Sequence, residues 1–289
     1  MAQPLTAWEP PVAAPATSQP LESIEIDLLL EGISRHYGYD FRGFSRASLE
    51  RRILARLRRE GLTTVSALQA LVLHDSASLH RLMRVMAVPT TSLFREPELF
   101  AAVRQDVVPW LRTWPSLRIW LAGCATGEEA YSMAILLEEE GLLPRSRVHA
   151  TDVNPDLLVA ARSGEVSSDK LVAARRAHAD AGGRRPLEEH FTATGTRWRL
   201  RPQLLGRITW NQHDLVTDAS FNEFHLIICA NVLIYFTKLF QDRIQRLLYD
   251  SLLPFGFLGL GQRELIILSP HAGCYVPVPP TGRLLKKVR

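Results

Sequence analysis

Residues 117–129 read Leu117-Arg118-Ile119-Trp120-Leu121-Ala122-Gly123-Cys124-Ala125-Thr126-Gly127-Glu128-Glu129. The first part is a short apolar run, which predicts a buried strand. Gly123 and Gly127 predict a tight turn where a ligand can approach the main chain. Glu128 and Glu129 then open an apolar helix that runs to Glu140. Strand, glycine turn and helix are the opening unit of an α/β sheet with a ligand crevice at the carboxyl ends of its strands. The turn is not a G-x-G-x-x-G fingerprint, because Ala125 stands two places after Gly123, and no Lys-Ser/Thr pair follows. Acids at a helix start suit the helix dipole but repel an anion. A cationic or zwitterionic ligand fits better, and the plain alternative is a tight turn with two exposed acids.

Downstream the alternation continues. Arg147 to Thr151 reads as a strand ending at Asp152, and Asn154 as the cap of a helix through Leu157, Leu158 and Ala161. Ile208 to Trp210 and His225 to Cys229 are the next strands, and Leu239 to Leu253 is a helix. This succession predicts a parallel sheet with helices on both faces. Asp152 follows Gly123 by 29 residues. An acid at that strand end can accept both hydroxyls of a ribose; its other use, as a helix cap, is already filled by Asn154. Asn231-Val232-Leu233-Ile234-Tyr235-Phe236 follows the fourth strand, where a polar Asn and a phenol can meet a substrate. Tyr235 and Phe236 are otherwise core aromatics. Residues 164–205 break the alternation, and Arg197-Trp198-Arg199-Leu200-Arg201 suits a half-exposed strand. They are expected to form an antiparallel insertion on the sheet edge.

Upstream, residues 21–88 read as helices. Ile24, Leu28, Leu29 and Ile33 recur at helical spacing, and Leu49, Ile53, Leu54 and Leu57 line one face of a helix capped by Ser45. Arg51, Arg52, Arg56, Arg58 and Arg59 fill most of its other faces, and Gly61 ends it. Thr63-Thr64 and Ser78 start two more helices, and a further one is expected over 96–112. Residues 1–20 hold five prolines, so residues 1–22 are expected to form a disordered tail.

A chain of 289 residues, 46% hydrophobic and 22% charged, has enough apolar material for one large or two modest domains. No apolar run reaches the roughly 18 residues a membrane span needs, and no signal peptide is recognisable. Cys124, Cys229 and Cys274 are too far apart for a zinc cluster or a disulfide framework, and His149 and His213 lack metal-ligand spacing. No metal is expected, and a cytoplasmic location is the simplest. The net charge of +4 is unevenly placed. Residues 35–60 hold eight Arg against Asp40, Glu50 and Glu60, and residues 162–201 hold nine Lys/Arg against five acids. Two basic patches point to an acidic partner.

In the same order the chain carries Ser92-Leu93-Phe94-Arg95-Glu96, the 122–129 loop, Ala150-Thr151-Asp152, His213-Asp214-Leu215 and Cys229-Ala230-Asn231-Val232-Leu233-Ile234-Tyr235-Phe236. With these motifs it resembles the CheR family, chemotaxis receptor protein-glutamate O-methyltransferases that use S-adenosyl-L-methionine. The resemblance covers about residues 23–270. It implies an α/β fold: an all-α N-terminal domain over 23–90, then a doubly wound, Rossmann-like methyltransferase domain over 91–289, with an antiparallel β-subdomain at about 164–205.

The resemblance also assigns residues. Thr91 and Arg95 line the methyl-donor site, and Glu128 lies near the methionine amino group. Asp152 binds the ribose, Asp214 and Leu215 flank the adenine, and Gly123 and Ala230 complete the cofactor site. Asn231 and Tyr235 form the floor, with Arg95 and Tyr235 as the catalytic pair. The product is S-adenosyl-L-homocysteine. The partner is the helical cytoplasmic bundle of a methyl-accepting chemoreceptor, docked on helix 46–59 and on insertion 164–205 by a monomer, with no nucleic acid bound. Three positions depart from the family pattern: Ala230 stands where Arg is usual, Pro89 where Asn is usual, and Gly261-Gln262-Arg263-Glu264 where Gly-His-Ser-Glu is usual. Two other functions stay open. One is a nucleic-acid methyltransferase, although Asn231-Val232-Leu233-Ile234 lacks the prolines of the amino-methylating motif. The other is an inactive cofactor-binding docking module, suggested by Ala230.

Overall fold

The computed structural model describes residues 19–39, 41, 44–86, 91–236, 238–264, 271–279 and 282–288. Most of the expected tail and Pro89 lie outside them. Helix α1 (Leu21–Tyr37) begins inside the expected tail, at Leu21. It is followed by α2 (Arg46–Arg59), α3 (Val65–His74) and α4 (Ser76–Met86). These helices bury Ile26, Leu29, Ile33, Leu49, Ile53, Leu68 and Leu82 in a core of their own. Thr64 caps α3 by accepting from the Ala67 N–H. The Ser45 side chain caps nothing; instead its N–H donates to the Tyr235 carbonyl at 2.7 Å.

The expected helix over 96–112 is continuous from Pro97 to Leu111 and runs as α5 (Pro97–Ala102), a π turn at Val103–Val107, and α6 (Val108–Leu111). The looser turn accommodates Pro109, which has no N–H for an α-helical ladder. Next come β1 (Leu117–Ala122), α7 (Glu128–Glu139), β2 (Ser146–Asp152), α8 (Pro155–Arg162), β3 (Glu165–Ser167) and α9 (Ser168–Asp180). The chain continues through β4 (Phe191–Thr194), β5 (Arg197–Leu200), α10 (Pro202–Leu205), β6 (Ile208–Gln212), β7 (Phe224–Cys229), α11 (Lys238–Asp250), β8 (Leu252–Leu260), β9 (Tyr275–Val278) and β10 (Leu284–Lys287).

The main sheet has the order β6-β2-β1-β7-β8-β10-β9. Strands β6, β2, β1, β7 and β8 are parallel, as the alternation predicts. The two strands at the far edge are antiparallel and lie outside that prediction, so the sheet is mixed. Strand order reverses between β1 and β7. Ligands sit outside the carboxyl ends of strands at such a point, and the glycine loop and the Asn231 segment leave there.

The insertion holds the expected antiparallel sheet, β3-β5-β4, but also the unexpected helix α9. It does not extend the edge of the main sheet. Arg104, from the π turn, donates to the Ala181 carbonyl just after α9, and Arg184, Arg185 and Arg201 pair with Glu138 and Glu140 at the end of α7. The apolar alternation of β5 is retained, with Leu200 buried and Arg197 and Arg199 exposed.

Candidate active site

Two adjoining cavities open at the switch point. The larger, about 780 Å³, is lined by Gly123, Ala125, Asp152, Asp214, Leu215, Asn231 and Tyr235, with Phe41, Phe44 and Met86 of the helical domain as its cover. The smaller, about 380 Å³, is lined by Thr91, Arg95, Gly123, Ala125, Glu129, Ala230, Asn231 and Tyr235. Together they have the mixed polar–apolar walls of a small-molecule site. Nine of the ten residues singled out from the sequence line them. The tenth, Glu128, does not.

The backbone builds the site with left-handed turns. Gly123 has φ +78°, and its N–H donates to the Thr151 carbonyl at 2.8 Å. A Cβ there would come within 2.5 Å of Val232. Three non-glycine residues around the cavities also take positive φ: Phe94 (51°), Ala125 (47°) and Asn231 (61°). Such strain persists only where surrounding contacts enforce it, and it collects at functional sites.

At Ala125 and Asn231 those contacts come from carboxylates. Asp152 accepts from the Ala125 N–H on one oxygen and from the Asn154 N–H on the other, each at 2.9 Å. It therefore shapes the glycine loop as well as facing the cavity. Burial raises its pKa, against the pull of those N–H donors. Glu264 accepts from the N–H groups of Gly261, Asn231, Val232 and Leu233 at 2.6–2.8 Å. Glu96 accepts from Asn231 Nδ2 at 2.8 Å and from the Gln262 N–H at 3.0 Å. The Phe94-Arg95-Glu96 and Asn231-to-Phe236 segments, far apart in sequence, are thus tied at one point.

The two acids after Gly127 part ways. Glu128 is buried beneath the loop, with Lys170 Nζ at 2.6 Å and the Thr126 hydroxyl at 2.6 Å. Glu129 lines the smaller cavity with Arg95. Of the two acids, Glu129 is the one at the cavity wall. Burial, then the carboxylates of Glu96 and Glu264, push its pKa up to about 8, with Arg95 opposing. A half-buried carboxyl at that wall fits an ammonium group. Asp152 at the carboxyl end of β2 fits a ribose, and the apolar wall of Phe41, Leu157 and Leu215 fits a planar base. The residues present therefore suit S-adenosyl-L-methionine.

Sequence reasoning also missed Phe41, Phe44 and Met86. Phe44 pairs with Phe236 at 4.4 Å and forms a β-bridge to it. Nothing in a loop aromatic announces that it will roof a distant domain.

Among the described residues, one group gathers metal-type donors: Glu139, His178 and His190. Here Glu139 is saturated otherwise. Its Oε1 accepts from the N–H groups of Arg184 and Arg185 at 3.1 and 3.3 Å, and Arg104 pairs with its other oxygen. Burial raises its pKa, but the bonds from His178, His190 and Arg104 outweigh this and hold it far below the usual carboxylate range. The cluster reads as an ion-pair clamp between the insertion and α7.

The fold and cavity define a methyltransferase domain joined to an all-α domain. Residues 89–273 match the family described as CheR methyltransferase, SAM binding domain, and residues 24–87 match CheR methyltransferase, all-alpha domain. The chain belongs to the CheR methyltransferase family, and its cofactor is S-adenosyl-L-methionine. It is 45% identical over 271 residues to the "Putative methyltransferase Cher3" of Pseudomonas putida, covering 94% of this chain and 99% of that one. It is 30% identical over 228 residues to the "Chemotaxis protein methyltransferase" of Salmonella typhimurium, covering 74% of each. A protein of the same name from Listeria innocua is 27% identical over 237 residues, covering 81% of this chain and 87% of that one. Among the described residues no helix is long and apolar enough to cross a membrane.

Proposed function

We propose that the protein methylates glutamate side chains on the helical cytoplasmic bundle of a methyl-accepting chemoreceptor. The observation that carries this reading is the route from α2 into the reacting cavity. Helix α2 presents Arg51, Arg58 and Arg59 to solvent, and its Arg52 lies over the ring of Tyr235, which lines both cavities. An acidic helix docked on α2 would bring its carboxylates to the cavity mouth, where Arg95 is exposed.

The chemistry asks little of the protein beyond placement. A glutamate side chain with an ordinary pKa of about 4.3 is already a carboxylate at neutral pH. No general base is needed. Bound across the two cavities, S-adenosyl-L-methionine supplies an electrophilic methyl group; a carboxylate that takes it becomes a methyl ester, and S-adenosyl-L-homocysteine remains. Asp152 holds the ribose, Glu129 holds the amino group, and Asp214 and Leu215 border the base. Arg95 orients the incoming carboxylate, and Tyr235 hydrogen-bonds at the reacting end. Phe41, Phe44 and Met86 exclude water, which favours a step that neutralises two charges.

The test uses cofactor labelled on its methyl group and membranes carrying candidate receptors. Carboxyl methyl esters release volatile methanol in mild base. Base-labile label that disappears in Arg95→Ala supports the reading. Base-stable label overturns it in favour of N-methylation, and cofactor binding without any transfer favours an inactive docking module.

A further inference from the structure

No residue of helix α9 lines either cavity, yet two of its inward contacts lead to residues beside the cavity walls. At its start, Lys170 Nζ lies 2.6 Å from Glu128 Oε1. The Glu128 side chain is 4% exposed and that of Lys170 49%, so the lysine brings a solvent-side charge to a buried carboxylate. Glu128 and Glu129 are the first two residues of α7. Whatever fixes Glu128 fixes the turn of helix that aims Glu129 into the cavity.

At its other end, the His178 ring packs on Phe94 with centroids 4.8 Å apart. Phe94 has positive φ and directly precedes Arg95. Its N–H donates to Ser132 Oγ at 2.8 Å, and that hydroxyl donates to the Glu128 carbonyl at 2.8 Å. Lys170, Glu128, Ser132, Phe94 and His178 thus form a closed loop of contacts that starts and ends on α9. Glu129 and Arg95 stand next to its members.

We propose that α9 is a positioning element for methyl transfer: Lys170 acts through Glu128 on Glu129, and His178 acts through Phe94 on Arg95. The proposal rests on Glu129 and Arg95 serving the cofactor site as described above. Its consequence is that a ligand held by the insertion would be felt at the cofactor, because α9 joins the two. Neither residue is catalytic, since neither faces the cavity.

The test is calorimetric affinity for S-adenosyl-L-homocysteine in the full chain, which requires no receptor. It is therefore read whether or not glutamate is the substrate. Lys170→Met is expected to weaken binding by about tenfold, the scale of one lost charge-assisted hydrogen bond. Lys170→Arg, which keeps the charge, should restore affinity to within about threefold, and Lys170→Gln serves if the methionine variant does not fold. Arg176→Met, on the exposed face of α9 with its partner Asp180, should leave affinity unchanged. A Lys170 variant with wild-type affinity for S-adenosyl-L-homocysteine, whether or not its melting temperature falls, would overturn the proposal.

Discussion

The guanidinium carbon of Arg52 lies 5.1 Å from the centroid of the Tyr235 ring. One residue belongs to the helical domain and the other to the segment after β7, so this contact couples the basic helix to the reacting cavity. The same guanidinium donates to the Met86 carbonyl. Burial lowers the Arg52 pKa, and Tyr235 opposes that shift. Arg52 therefore braces the cavity roof as well as adding positive charge to α2.

Replacing Arg52 should reduce transfer without removing the cofactor. Cation–π contacts contribute about 0.5–2 kcal/mol, which corresponds to roughly a 2- to 30-fold loss in rate. Arg52→Ala is expected to fall in that range in a methyl-transfer assay, with cofactor affinity retained. Arg52→Lys should recover only part, because an ammonium cannot stack on the ring and reach Met86 with a planar fork.

Asp152 has two tasks, and two variants separate them. Asp152→Asn keeps one acceptor oxygen but presents an amide donor to either the Ala125 or the Asn154 N–H. Asp152→Ala leaves both donors unpartnered. An unsatisfied buried donor costs about 1–3 kcal/mol. Thermal melts should show Asp152→Ala less stable than Asp152→Asn, while calorimetry shows both greatly weakened for S-adenosyl-L-homocysteine. Equal stability of the alanine variant and the wild type would mean that the carboxylate does not hold the loop.

Much of this site was legible because function sits at strand ends. Apolar runs marked β1, β2, β6 and β7, and the residues at or just beyond their ends, Gly123, Asp152, Asp214 and Asn231, line the cavities. The choice between Glu128 and Glu129 was not legible. Neighbours on a helix point about 100° apart, and only Lys170, 42 residues on, shows which acid turns inward. Helix α9 was hidden because one of its buried positions is a histidine, His178, among Leu171 and Ala174. Apolar periodicity does not register a buried polar ring. Strands β9 and β10 are four residues each, too short to show alternation.

With Glu129 at the amino group as proposed, cofactor binding should depend on pH. Its pKa of about 8 is that of the ligand-free protein. An ammonium at its side favours the carboxylate, so binding near neutral pH should release a proton. Affinity should rise from pH 6 toward pH 8 by no more than tenfold per unit. Calorimetry in two buffers of different ionisation enthalpy measures the proton directly. Stability runs the other way. A carboxyl raised above its ordinary 4.5 destabilises the fold increasingly as pH climbs from 4.5 to about 8. Glu129→Gln should therefore raise the melting temperature more at pH 8 than at pH 5, while weakening the cofactor.

The departure at residues 261–264 leads to the last prediction. Glu264 gathers four backbone N–H groups, including those of Asn231 and Leu233. A Cβ on Gly261 would meet Glu264 Oε2 at 2.7 Å and the Asn231 N at 2.8 Å. These two positions are the ones at which the chain keeps the usual Gly-x-x-Glu. Between them, Gln262 contributes its N–H to Glu96, a bond open to any residue but proline. Gln262→His and Arg263→Ser should therefore leave the melting temperature unchanged. Glu264→Ala should cost about 3 kcal/mol, since several buried donors lose their acceptor together. Glu264→Gln should do little better, because its amide group turns a donor toward backbone donors. Thermal melts check both, and transfer activity should fall with them, because the Asn231–Leu233 turn that leads to Tyr235 loses its anchor.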